Sequence, residues 1–410
     1  MRILLSAYAC DPDAGTEPGN GWNWAWHLAS AGHDVWVLTG TKAGDRLRER
    51  SSGEPNLHFV QVAPSKIGDR VLRGAPAGHF RYVTWLGRSY RVAVRLDRSI
   101  RFDLVHHVTF GSLVWGTPLR RLPPPLVFGP VGGGQVTPRS LAPYLTRFAW
   151  LEAIRRVVLR PAMRLNPLAV RTLRDAAAVF VTNRDTERLA RGCGASRVFL
   201  ACDTSVPPEM NDAATLSDHR EDGPVRLLWL GRLLPRKGLP LALDALSRVD
   251  TPTPWECVIV GGGPLGDDVP GWIERSGLRD RVRWVGAVPW HEVARHYREA
   301  DVFLFTSLRD ASGAQLFEAA AFGLPMIGLA HQGMADLIPD DVAIKVPILD
   351  GPGTADALAR VVESLIDDRG RRARMREAAV RFARANSWPE RVREVYSIVE
   401  PIVDARPSGR

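Results

Sequence analysis

At 410 residues the chain is too long for one ordinary hydrophobic core and fits two domains of roughly 200 residues each, with a cleft expected between them. Its 45% apolar and 24% charged content excludes a disordered chain, a collagen-like repeat and a small disulfide scaffold. The net charge of +9 is uneven: residues 1–205 hold 28 Lys and Arg against 15 Asp and Glu, residues 206–410 hold 26 against 30, so an anionic partner is expected on the first half.

The opening run Ile3–Ala7 stops at Asp11-Pro12-Asp13 without a cleavage pattern and reads as a buried strand rather than a leader. Short apolar runs then alternate with longer amphipathic stretches, the signature of βα units around parallel sheets. In the first half the strand candidates are Ile3–Ala7, Asp34–Thr39, His58–Val62, Leu104–Val108, Leu126–Gly129 and Ala178–Thr182. The loop after the first of them carries Gly15 and Gly19, which can offer backbone N–H groups to an anion, and leads into a helix with Trp22, Trp24 and Trp26. That loop is not the Gly-x-Gly-x-x-Gly dinucleotide fingerprint, which counts against a nicotinamide dehydrogenase, and the tryptophans read as helix packing. Two further loops, His106 to Gly111 and Gly129 to Gly134, follow strand candidates. Alternation along a strand sends His106 and His107 to opposite faces, and His107 is favoured as the one presented at the strand end.

Residues 1–207 are thus assigned to a first α/β domain, 208–224 to a polar, proline-punctuated linker, and 225–385 to a second α/β domain. Residues 386–410 follow as a helix, with Val392, Val395, Tyr396 and Val399 at helical spacing, that crosses back to the first domain before a frayed end. The second domain has strand candidates at Arg226–Leu230, Glu256–Val260, Val282–Val285, Val302–Phe305, Pro325–Gly328 and Ala343–Val346.

In this second domain nearly every strand runs into a glycine or small polar loop, and open parallel sheets bind ligands at those ends. Gly231 and Arg232 follow the first strand, with Lys237 just before the next helix, so two cations converge on a helix start in the manner of a diphosphate site. Gly262 lies in the next glycine turn and Val288 in the loop after that. Asp310 precedes Ser312, Gly313 and Ala314, which open a helix whose free N–H groups suit phosphate. Glu318 lies one turn inside, on an otherwise apolar face, where a carboxylate needs partners; vicinal ribose hydroxyls or a neighbouring arginine would both supply them.

Together these motifs, above all two acids eight apart followed by Gly323-Leu324-Pro325, resemble glycosyltransferase family 4, whose fold is GT-B. The resemblance is close over the second half and looser over the first. It implies that Arg232 and Lys237 hold a donor diphosphate, that Glu318 binds the nucleotide ribose, and that Asp310, where the family usually has Glu, reaches the donor sugar. It also implies that a histidine, here His107, contacts the transferred sugar. The implied reaction is retaining and metal-independent, moving a hexose from a nucleoside-diphosphate sugar such as a UDP- or GDP-sugar to a glycan, lipid-linked or small-molecule hydroxyl, with no cofactor.

Stretches Arg81 to Arg101, with Tyr82, Trp85, Leu86, Tyr90, Val94 and Leu96, and Arg147 to Arg174 form candidate amphipathic basic surfaces for an anionic membrane. No run reaches the eighteen or more apolar residues that span a bilayer, so that contact would be peripheral. Four cysteines without a Cys-x-x-Cys pair fit a reducing cytoplasm, and no recognition motif supports a nucleic-acid partner. A nucleotide-sugar epimerase, or another nucleotide-binding enzyme on the same architecture, is the alternative.

Overall fold

The structure, a computed structural model, describes residues 1–40, 44–63, 75–210 and 223–405. Most of the expected linker (211–222) and most of the expected frayed end (406–410) therefore lie outside the described residues. The chain folds as two compact α/β units: residues 1–134, 159–204 and 388–410 make the first, and residues 135–158 and 205–387 the second.

The first unit holds seven strands: β1 (Arg2–Ala7), β2 (Asp34–Thr39), β3 (Leu57–Gln61), β4 (Leu104–Thr109), β5 (Leu126–Val131), β6 (Ala178–Val181) and β7 (Val198–Leu200). All pair in parallel, in the order β3-β2-β1-β4-β5-β6-β7. The central strands are buried along almost their whole length, because helices cover both faces of a parallel sheet. The helix Thr16–Ser30 buries Trp24 edge-on to His106 and Trp388, while Trp22 stacks on Trp26 and Phe59, so these indoles serve packing. The helix Trp388–Asp404 returns to this unit and buries Trp388, Val392, Val395, Tyr396 and Val399 in its core.

The second unit holds β8 (Val225–Leu230), β9 (Trp255–Val260), β10 (Val282–Gly286), β11 (Val302–Phe305), β12 (Met326–Leu329) and β13 (Ala343–Val346). Again all are parallel, in the order β10-β9-β8-β11-β12-β13. The order reverses between β8 and β11, and their connections leave in opposite directions, opening a crevice beyond their carboxyl ends. Trp229 on β8 donates its indole N–H to the Thr306 hydroxyl at 3.1 Å, and that hydroxyl donates in turn to the Gly238 carbonyl at 3.0 Å. The two loops at the reversal are thereby tied together.

One segment departs from the contiguous division expected from sequence. Residues 135–158 follow the glycine loop of β5 but join the second unit. Leu141 and Leu145, nearly inaccessible to solvent, enter its hydrophobic core, and the Tyr144 hydroxyl donates to Asp244 and to the Gly351 carbonyl. Apolar burial at two positions, with a phenol satisfied beside them, fixes the segment there. A second correction concerns the helix Ala75–Ile100, where Tyr82, Trp85 and Leu86 are buried in the first unit instead of forming an exposed face. Their rings pack with Tyr8, so core packing claims the aromatic stripe that sequence assigned to a surface.

Leu141→Ala leaves a cavity in the second unit's core and is expected to cost about 2–4 kcal/mol, read by denaturant unfolding; a loss near zero would detach the segment from that core.

Candidate active site

The crevice of the second unit collects residues from four loops and two helices. After β8 the chain passes Gly231, buried, whose N–H donates to the Val260 carbonyl at 3.0 Å, and then Arg232. The Arg232 guanidinium is exposed and makes no ion pair or hydrogen bond among the described residues. Gly238 closes this loop at φ 68°, a left-handed conformation that a side chain would strain, and a Cβ there would lie 2.2 Å from the Thr306 carbonyl. That turn holds the preceding Lys237 inward: it is 7% exposed, and its ammonium lies 5.5 Å from the centre of the Phe305 ring.

Lys237 does not wait unpaired. Its ammonium donates to Asp310, and a weaker contact reaches Gln315 Oε1 at 3.4 Å. The same Asp310 oxygen accepts from the Ser307 hydroxyl at 3.1 Å and lies 3.6 Å from Arg236. Burial pushes the Asp310 carboxyl up, but the Lys237 and Arg236 charges and these hydrogen bonds outweigh it and hold it below the usual aspartate range. Asp310 is therefore a fixed anion. Its backbone N–H donates to Gln332 Oε1 at 2.8 Å, and Gln332 Nε2 donates to the Val136 carbonyl at 3.0 Å, so the 135–158 segment buttresses the loop. Beside it Arg309 pairs at 3.0 Å with Glu152, a nearly buried acid that also accepts the Thr137 N–H at 3.1 Å.

Ser312, buried, leads into Gly313 at φ 76°, from which the helix Ala314–Ala321 starts without any side-chain cap. Its first turn thus keeps N–H groups available to an anion. Glu318 projects from this helix into the interior, 5% exposed, and its Oε2 accepts the buried Tyr297 hydroxyl at 2.8 Å. Oε1 has no hydrogen-bond partner among the described residues. Burial raises the Glu318 carboxyl to about 7, against the lowering effects of the Tyr297 hydrogen bond and the Lys237 charge. An arginine partner, the alternative that sequence left open, is absent among the described residues.

The structure thus brings Lys237, Asp310 and Glu318 together around the helix start formed by Ser312, Gly313 and Ala314. Gly262 sits against the β8 loop, its carbonyl accepting the Leu233 N–H at 2.9 Å, and Val288 is half-buried in the loop after β10. On the first unit, Gly15 flanks the start of the helix Thr16–Ser30 and Gly19 is buried within it. His107 requires correction: it lies inside β4, which runs on to Thr109, and is 1% exposed. Its Nε2 is 3.1 Å from the Tyr82 hydroxyl and its Nδ1 2.9 Å from the Ser6 hydroxyl. Burial, reinforced by neighbouring His106, lowers its pKa to about 3, so it is a neutral core imidazole with both nitrogens occupied. His106 faces the opposite side of the sheet, bonded to the Tyr396 hydroxyl and the Gly129 carbonyl, which bears out the alternation but leaves neither ring presented at a strand end.

Sequence reasoning missed Tyr297, Ser307, Arg309, Gln332 and Glu152. Tyr297 lies among polar helix residues, and Glu152 is 157 positions from Arg309, the loop residue it pairs with, so no local pattern marks either.

The family of glycosyl transferases group 1 matches residues 216–382, which is most of the second unit. A 2-deoxystreptamine glucosyltransferase of Streptomyces kanamyceticus is 27% identical over 347 residues, 79% of this chain and 86% of that protein. Other curated relatives named as glycosyltransferases are matched over about half their length. Among solved structures, the sucrose-phosphate synthase of Thermosynechococcus elongatus superposes with a TM-score of 0.68 at 18% identity, covering 99% of this chain and 100% of that one. Anabaena HepE in complex with UDP and glucose gives 0.63 at 16% identity, covering 98% and 100%.

If Glu318 is buried as a reluctant anion, Glu318→Gln should stabilise the unliganded protein increasingly as pH rises from about 4.5 to above 7. A raised carboxyl pKa penalises the folded state only once the group ionises, so the gain is nil at low pH and on the order of 3 kcal/mol at high pH. Melting temperatures of both proteins across that range read it; a constant difference would contradict the burial argument.

The group 1 match over residues 216–382 and relatives named as glycosyltransferases mark this chain as a glycosyltransferase, and its two parallel-sheet Rossmann-like units have the GT-B fold.

Proposed function

We propose that the chain belongs to glycosyltransferase family 4 and transfers a hexose-type sugar, with retention and without metal, from a nucleoside-diphosphate sugar to a hydroxyl of a glycan, lipid-linked or small-molecule acceptor. The observation that carries the reading is Glu318: a buried carboxylate with one oxygen on Tyr297 and the other unpartnered, one turn inside an uncapped helix start. The two hydroxyls of a ribose would satisfy it with charge-assisted hydrogen bonds of roughly 1.5–3 kcal/mol each. The diphosphate would then lie across the N–H groups of Gly313 and Ala314 within reach of Lys237 and the exposed Arg232.

Two relatives support the donor class: the Streptomyces protein is by name a glucosyltransferase, and HepE was solved with UDP and glucose. As the sugar–phosphate bond breaks, negative charge gathers on the departing diphosphate, and preorganised cations and helix dipoles stabilise it. Lys237 reaches that role by exchanging its Asp310 partner for phosphate. Asp310, still held by Ser307 and the Gln332-braced backbone, is then free to accept a sugar hydroxyl. Acceptor deprotonation falls to the departing phosphate in this reading, since His107 is enclosed and neutral.

Purified protein incubated with UDP- and GDP-hexoses should release nucleoside diphosphate in the presence of excess chelator. Glu318→Ala should lower that rate roughly 10- to 1000-fold with near-ultraviolet circular dichroism unchanged. Undiminished turnover in the variant, or loss of turnover on chelation restored by a divalent metal, would overturn the reading.

A further inference from the structure

The helix Ala149–Leu165 turns its apolar side outward. Trp150, Leu151, Ile154, Val157 and Val158 are all exposed, Trp150 at 60% and Val157 at 72%. At 100° per residue they form one stripe, and the buried Glu152, Leu159 and Met163 lie on the opposite side. An ordinary surface helix has the reverse arrangement, and a contiguous apolar patch exposed in this way marks an interaction site.

The charges on the helix identify the occupant. Arg160 and Arg164 are exposed along one flank of the stripe and make no ion pair among the described residues. The one acid, Glu152, is turned inward and taken by Arg309 and the Thr137 N–H, so no negative charge faces out from the helix. A second copy of the chain would set these arginine flanks against each other, whereas anionic headgroups complement them. The helix has 17 residues with Pro161 inside, and among the described residues no helix is long and apolar enough to cross a membrane. We propose that this helix docks in the plane of an anionic lipid surface, with the Trp150–Val158 stripe inserted among acyl chains and Arg160 and Arg164 at the headgroups. The proposal does not depend on the donor assignment.

Flotation with vesicles of phosphatidylcholine, with and without phosphatidylglycerol, tests it on the whole protein. Partitioning to the anionic vesicles should exceed that to neutral ones by about tenfold or more and shrink with added salt. Val157→Asp should lose about tenfold in binding while keeping its melting temperature and nucleotide binding; Arg160→Glu with Arg164→Glu should abolish the preference for anionic lipid. The proposal fails if the wild type stays unbound, if Val157→Asp binds equally well, or if sedimentation velocity shows a dimer that Val157→Asp dissociates without any vesicle binding.

Discussion

A carboxylate withdrawn from water has to be met by donors, and in the second unit Glu318 is met on one side only. Tyr297 supplies a single hydroxyl, and the result is an acid whose pKa is raised to about 7. A protein keeps such a group at a cost, because burial strips solvation from the ionised carboxylate that a ligand's hydroxyls would replace. The rest of the crevice is arranged around that unmet demand. The sheet reversal between β8 and β11 places one loop from each strand beside the Glu318 helix, and Gly238 permits the turn that directs Lys237 inward.

The Lys237–Asp310 pair shows how the empty crevice keeps its charges ready. A buried ammonium alone would be expensive, and so would a buried carboxylate alone; the pairing offsets both costs, and the Lys237 charge helps hold Asp310 ionised. Around them Arg236, Arg309, Glu152 and Gln332 form a charged and hydrogen-bonded frame, two of whose anchors, Glu152 and Val136, come from the segment following β5. The second unit is therefore not built from the second half of the chain alone.

Much of this was legible in the sequence, because parallel βα units write themselves as apolar runs ending in glycine. All twelve strand candidates form strands, with bounds differing by at most two residues; the omitted β7 is a three-residue edge strand with too short a run to register. Lys237, Asp310, Gly313 and Glu318 could be named since they stand at fixed places relative to strand ends and a helix start. What escaped depended on distant partners. Tyr82 and Trp85 read as a surface face until Tyr8 covers them, and His107 read as a terminal residue until β4 extends past it. The 135–158 segment joins a unit formed mostly by residues that follow it much later, and hydrophobic periodicity says nothing about which core a helix will enter.

Calorimetric titration of UDP into the protein, in two buffers of different ionisation enthalpy and at a pH near the Glu318 value of about 7, measures the central interaction directly. Ribose hydroxyls that bond to the carboxylate lower its pKa, so binding should release protons, the observed heat should depend on the buffer, and affinity should strengthen as pH rises through that value. Both effects should vanish in Glu318→Gln. A buffer-independent heat in the wild type, with affinity flat across that range, would show that the nucleotide does not engage Glu318.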